Sequence, residues 1–347
     1  MAVNSTQTRT PDHARTGPDP ATPVSSARRT RPGQAVPAAP PGPVPVAGTG
    51  PEPSASAAHV LTAYLRLQVA ELRSLDPKVR ADEFDAVHQK RVTTRRLRGT
   101  LRSFGPVIPR PATGPLAAEL SWLGGLLGAA RDGEVLPWHL QASLEPVPVE
   151  LIIGPVQARI QGHFAPRRAA ARAALIEALD SERYATLLAG LDRLALEPPL
   201  GPQAAAPAGD VLPAAVHRAY RQADRRMRRA RRAPRGQARD TALHEARKSA
   251  RRARYAAEAA RPAVGRPAAK FARQMKKVQT VAGDHQDTVI ARQAARDLGI
   301  GAHLAGENAF TYGLLYEREL HQGERLQASA WKTWKRAARP RYRRWMR

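Results

Sequence analysis

Residues 87–104, VHQKRVTTRRLRGTLRSF, restrict the folds open to this chain more than any other stretch. At 100° per residue, His88, Arg91, Arg95, Arg98 and Arg102 fall within one quarter of a helix circumference. Thr93, Leu97, Leu101 and Phe104 lie on the opposite side. The apolar stripe can pack into a core, which leaves the cations aligned along one line. Aligned like charges repel by roughly several tenths of a kcal/mol per neighbouring pair on a helix. A polyanion would offset that cost.

The pattern occurs twice. In LHEARKSARRARYAAE, His244, Arg247, Arg251 and Arg254 repeat the spacing of His88, Arg91, Arg95 and Arg98, and Arg252 repeats Arg96. Downstream, Gly128 and Asp132 in LLGAARDGEV match Gly283 and Asp287 in VAGDHQDTVI. Each copy reads H-x-x-R-x-x-x-R-R-x-R, then about forty residues, then G-x-x-x-D before an apolar residue, Val135 or Ile290. One basic helix is a weak signal. The ordered pair, offset by roughly 155 residues, points to an internal duplication.

The formal charge of +26 directs attention to an anionic partner: nucleic acid, a membrane surface or an inorganic polyanion. Residues 1–55 hold five Arg and three acidic residues, so the charge belongs to the rest of the chain. Aromatic residues make up 5 %, which disfavours stacking on single-stranded bases. With no cysteine there is no disulfide, thiolate or Cys-based zinc site, and a reducing cytoplasm fits. No stretch reaches the roughly 18 apolar residues of a membrane span, and the N-terminus lacks the layout of a secretory signal.

Residues 1–55, rich in Pro, Ala and Gly, read as a disordered tail. The rest, 56–347, reads as helices throughout. Helical periodicity covers Ala57 to Leu75 with a stop at Asp76-Pro77, then the first basic helix to Gly105-Pro106, then Leu116 to Ala130 with a possible extension to Leu136. Val149–Ala165 and Pro166–Leu179 follow, and Ser181 caps a helix to about Leu196. A linker at 198–210 separates a first half, 56–200, from a second, 207–347. There the pattern gives Val211–Ala233, Asp240–Ala260 ended by Arg261-Pro262, Ala268–Val281, Ala291–Leu298 and Glu307–Ala338. No alternating apolar run predicts a sheet. The expectation is an all-α protein of two similar antiparallel helical bundles.

The two copies of H-x-x-R-x-x-x-R-R-x-R, the sequel KSARRARYAAE and the paired G-x-x-x-D segments resemble the CHAD family (conserved histidine α-helical domain). Similarity extends to RYATLLAGLDRLALEPP and VLPAAVHRAYRQADRRMRRA and covers about Ala57 to the C-terminus. AARD in the first copy departs from the family form more than GDHQD does in the second. The resemblance implies two pseudo-symmetric four-helix bundles around a basic central cavity. It also implies non-catalytic binding of inorganic polyphosphate, association with polyphosphate granules in the cytoplasm, and no cofactor. Some members are fused to a CYTH-type triphosphatase. Its alternating-glutamate strands are absent here, so such an enzyme would be a separate chain.

Polyphosphate offers roughly one charge per residue and no bases, so its binder needs cations at repeating distances. Arginine suits this, because its fork grips phosphate oxygens and stays charged. The expected ligand contacts are His88, Arg91, Arg95, Arg96, Arg98, Arg102, His244, Arg247, Lys248, Arg251, Arg252, Arg254 and Lys277. A solvated helix face with scattered salt bridges would give the same pattern from a single row. His88 and His244 fit either a phosphate donor or a histidine bonded to a neighbouring helix. His244, Asp284, His285 and Asp287 are of metal-ligating types, though no spacing argument unites them. Asp132, Asp287 and Glu258 read as orienting arginines, and Trp331, Trp334 and Trp345 as core or docking residues. No nucleophile–base pairing or glycine-rich phosphate loop stands out. Two competing functions remain: non-specific nucleic-acid binding, favoured by His217–Arg232 and RAARPRYRRWMR, and a metal-dependent phosphoanhydride hydrolase.

Overall fold

A computed structural model describes residues 55–346, and the stretch 1–54 assigned to the tail lies outside the described residues. Among them are nine α-helices: α1 (Ala57–Arg80), α2 (Ala86–Ser103), α3 (Arg110–Leu144), α4 (Val156–Asp180), α5 (Glu182–Leu196), α6 (Ala208–Arg232), α7 (Gln237–Val264), α8 (Arg266–Leu304) and α9 (Phe310–Ala337). Three short 3-10 turns complete the set, at Val149–Leu151, Pro340–Tyr342 and Arg344–Met346. An isolated bridge between Ser56 and Pro207 is the sole extended pairing among the described residues.

Local chemistry explains several boundaries. The Ser56 and Ser181 hydroxyls accept backbone N–H bonds from His59 and Tyr184 and cap α1 and α5. Gly265, at φ 74, ends α7 and starts α8, a conformation that a side chain would resist. The stop expected at Gly105-Pro106 holds, since α2 ends at Ser103, but three other proline boundaries do not. Pro77 sits in the last turn of α1, Pro166 inside α4 and Pro262 in the last turn of α7. Near Pro77, buried Lys90 of α2 donates to the Leu72 carbonyl at 2.9 Å and pairs with Asp76, which anchors the turn. The two helices expected at 268–281 and 291–298 are one 39-residue helix, because GDHQD faces packed neighbours instead of forming a loop.

Most buried apolar residues form one large core drawn from both sequence halves, including Leu61, Leu97, Leu123, Leu191, Leu212, Phe271 and Met275. A second cluster joins α3, α4, α8 and α9 through Leu140, Phe164, Leu298 and Tyr312. The linker between the halves is ordered: Ala57 donates to Ala206 and Ala208 to Ala55 at 2.8 Å each. At the centre, α2 packs against α3, α1 and α7, while α7 packs against α6, α8, α2 and α1. Trp334 stacks on Tyr220, and Trp345 meets Phe271 edge-on, which docks the C-terminal turns on the body.

Candidate anion-binding site

Helices α2 and α7 meet at Gly99 and Tyr255. A Cβ built on Gly99 would lie 3.3 Å from the Tyr255 ring, so the glycine permits the close approach. This crossing brings the two arginine rows together.

The G-x-x-x-D segments have a physical role. A Cβ on Gly128 would lie 3.5 Å from the Arg91 guanidinium, and one on Gly283 would lie 3.3 Å from that of Arg247. Each glycine thus leaves a bed on which an arginine lies. Asp132, one turn on, bonds Arg91 at 3.2 Å. Asp287 attracts Arg247, although burial holds the Asp287 carboxyl above its ordinary range.

Arg95, Arg247 and Arg251 are partly buried, and none has an acid within salt-bridge distance among the described residues. The Nε atoms of Arg95 and Arg247 are buried without a hydrogen-bond partner. Burial, followed by repulsion from Arg95, Arg247 and Arg91, pushes Arg251 down to about 9, with Tyr255 partly compensating. Arg95 and Arg247 are likewise held below their usual range, chiefly by burial. Such a cluster is costly without a counterion, because removing charge from water is expensive and like charges add to the penalty.

His88 borders this cluster. Burial pushes it down to about 4, with Asp85 opposing and Arg131, Arg95 and Arg91 reinforcing the shift. His244 is also lowered, by burial and then by Lys248 and Arg247. Both rings are therefore neutral near pH 7.

The remaining expected residues divide into three groups. Arg96 and Arg254 meet on one carboxylate, Glu258, at 3.1 and 2.8 Å, and both flank the Tyr255 ring. Glu258 thus locks α2 to α7. Arg98, Arg102 and Arg252 gather at one end with Arg110 and Arg226, and Arg252 donates to Gln222 at 2.7 Å. Lys248 is exposed and paired with Glu245, and Lys277 is exposed on α8. Sequence reasoning missed Arg110, Arg131 and Arg226, which belong to other helices and enter the basic zone through the fold. It also missed Gly99, whose signal was a glycine inside an otherwise strong helix.

His285 does not join His244 in a metal site. Its Nε2 lies 3.3 Å from Asp240, and the described residues contain no cluster of three or more metal-ligating side chains.

Comparison with known proteins gives a consistent result. The model of the CHAD domain matches residues 63–296. The uncharacterized proteins MT2285 and Rv2226, from two strains of Mycobacterium tuberculosis, are each 39 % identical over 264 residues, 74 % of this chain and 49 % of theirs. The chain therefore spans about half the length of these curated relatives. Among solved structures, PptA from Streptomyces chartreusis superposes with a TM-score of 0.66 at 20 % identity, covering 81 % of this chain and 100 % of PptA. The CHAD domain from the plant Ricinus communis gives 0.60 at 24 % identity, covering 81 % of this chain and 92 % of that one. At these identities the two structures speak for the fold.

Proposed function

Because the chain belongs to the CHAD domain family, we propose that it binds inorganic polyphosphate along the α2–α7 arginines without catalysing its turnover. One observation supports this above the others: Arg95, Arg247 and Arg251 come from two helices, repel one another, and have no paired acid among the described residues. A chain of phosphates relieves the repulsion. Arg91, Arg98, Arg102 and Arg252 extend the row on either side, and His88 and His244 flank it. Arg96 and Arg254, tied to Glu258, hold the two helices in register.

A protein of this kind would follow polyphosphate to its granules and present it to a separate enzyme, such as a CYTH-type triphosphatase. No helix among the described residues is long and apolar enough to cross a membrane.

The test is titration of the full chain with long-chain polyphosphate at near-physiological salt, with duplex DNA as competitor. Each lost charge-assisted contact is worth about 1.5–3 kcal/mol. The folded variant with Arg91, Arg95, Arg247 and Arg251 changed to Ala is therefore expected to bind more than about a thousandfold less tightly. Unchanged affinity in that variant refutes the assignment. A second reading has its own support: Arg218, Arg221, Arg225, Arg229 and Arg232 form an exposed row on α6. If duplex DNA displaces polyphosphate at equal phosphate concentration, and loss of the α6 row abolishes both, a general polyanion surface replaces the inner site.

A further inference from the structure

Two stretches of the chain carry no acid at all: residues 259–283, the end of α7 and the first half of α8, and residues 325–347, the second half of α9 and the C-terminal turns. The first holds six exposed lysines and arginines, and the second, as far as residue 346, holds seven. On α8, Arg266, Lys270, Arg273 and Lys277 recur every three or four residues and so share one face. Lys332, Lys335 and Arg339 do the same on α9 and just past its end. Helix α9 runs back along α8, with Tyr312 beside Gly299 and Gly323 beside Thr288, which carries its basic end to the start of α8. The edge contact of Trp345 with Phe271 holds the C-terminal turns there too. Cations so aligned repel, and none of these seven has an ion pair among the described residues.

This surface is separate from the arginine ladder. Gly283, the bed of Arg247, lies ten residues beyond Arg273, about 15 Å along α8, and roughly 110° round the helix from the basic row. What the surface lacks narrows its partner. No exposed large apolar residue among the described residues falls in either stretch. Trp334 is buried, and Trp331, Tyr342 and Trp345 pack against the core. A bilayer therefore finds nothing to take in, and unstacked bases find no ring to lie on. Double-stranded nucleic acid needs neither. It presents one charge per roughly 1.7 Å of axis on the outside of a stiff duplex. Cations spread over the outer faces of two helices meet such charges without ordering the polymer, whereas a thin flexible chain must first be ordered and is held better in a cleft. Contacts of this kind to phosphates carry no sequence information.

We propose that the outer face of α8, α9 and the C-terminal turns binds double-stranded nucleic acid through its phosphates, without sequence preference and independently of the ladder on α2 and α7. The surface stands whether or not the ladder takes polyphosphate.

The experiment follows the anisotropy of a fluorescent mixed-sequence duplex DNA titrated with the full chain across a salt series. An outer variant combines Lys270→Gln, Arg273→Gln, Lys335→Gln and Arg339→Gln. A ladder variant combines Arg95→Ala and Arg251→Ala. A control combines Arg218→Gln, Arg221→Gln, Arg225→Gln and Arg229→Gln, which removes the same charge from α6. All the residues replaced in the outer and control variants are exposed, and circular dichroism verifies that each variant is folded. The outer variant is expected to bind the duplex about thirtyfold less tightly, with a salt slope flatter by about three units. The ladder variant is expected to stay within about twofold of the unaltered chain, and the control to lose under about fivefold. An unmoved outer variant, or a ladder variant that loses the duplex as well, overturns the surface. An equal or greater loss in the control makes net charge the cause and overturns it too. Equal affinity for the single strand of the same sequence, or capture by phosphatidylserine vesicles in preference to the duplex, overturns the duplex assignment.

Discussion

Helices α2 and α7 present the same arginine pattern on supports of opposite texture. Behind its arginines, α2 buries Leu97, Leu101 and a run of threonines. At the positions matching Leu97 and Leu101 in the repeated pattern, α7 has Ala253 and Ala257, and it buries alanine after alanine down to Ala263. Neighbours explain the difference. Large helices pack on both flanks of α7, and small side chains let them approach, whereas α2 has to fill space with bulk. Where the two helices meet, the matching positions are Gly99 and Tyr255, one yielding to the other. The lesson is that the charged face is repeated while the packing face is free to change, provided that each fills its own surroundings.

The sharpest asymmetry is a charge. Lys90 is fully buried in α2, bonded to Asp76, the Leu72 carbonyl and Tyr184 Oη, and its counterpart in α7 is Ala246, equally buried. Making α2 resemble α7 here, by Lys90→Ala, removes three bonds and leaves half-buried Asp76 with the Tyr184 hydroxyl but no cation. The expected loss is about 3–5 kcal/mol in denaturant unfolding. A loss under about 1 kcal/mol would mean that the network contributes nothing to holding α1, α2 and α5 together.

The texture argument makes a reciprocal expectation. Leu97→Ala leaves a cavity and is expected to cost about 2–5 kcal/mol. Ala253→Leu forces bulk into a site with no exposure and is expected to cost about 1–3 kcal/mol. Both are read from the same unfolding curves. If Ala253→Leu is neutral, spacing is not the reason for the alanines of α7.

These contrasts also show what the sequence could reveal. The arginine faces, the all-helical class and the Ser181 cap followed from periodicity and capping chemistry, which are local. Glu258 was legible as an arginine partner, since it lies one turn from Arg254. That it also holds Arg96, 162 positions away in sequence, was not. Pro77, Pro166 and Pro262 misled because a proline costs a helix one bond, which tertiary packing can outweigh. The pairing of Asp240 with His285 was hidden for the same reason as Arg110 and Arg226: only the packing of distant helices brings such groups together.

The smallest expected effect concerns the two histidines that open the rows. His88 lies at about 4, below its unfolded value of about 6.5, so between these limits the unfolded chain binds more protons. The free protein should therefore lose stability as pH falls through that window. Burial, Arg131, Arg95 and Arg91 hold the ring neutral, while Asp85 resists. A bound polyphosphate reverses the sign of the local field and raises the histidine pKa. Binding then takes up a proton, and affinity must rise as pH falls below the raised value. His244 is less deeply buried, and a hydrogen bond with Gln286 opposes its shift, so its contribution should be smaller. Between pH 7.5 and 6, polyphosphate affinity is expected to increase about three- to tenfold, with the slope reduced more by His88→Gln than by His244→Gln. Equal slopes in the two variants would make the rows electrostatically equivalent, and a slope unchanged in both would place the histidines outside the ligand's reach.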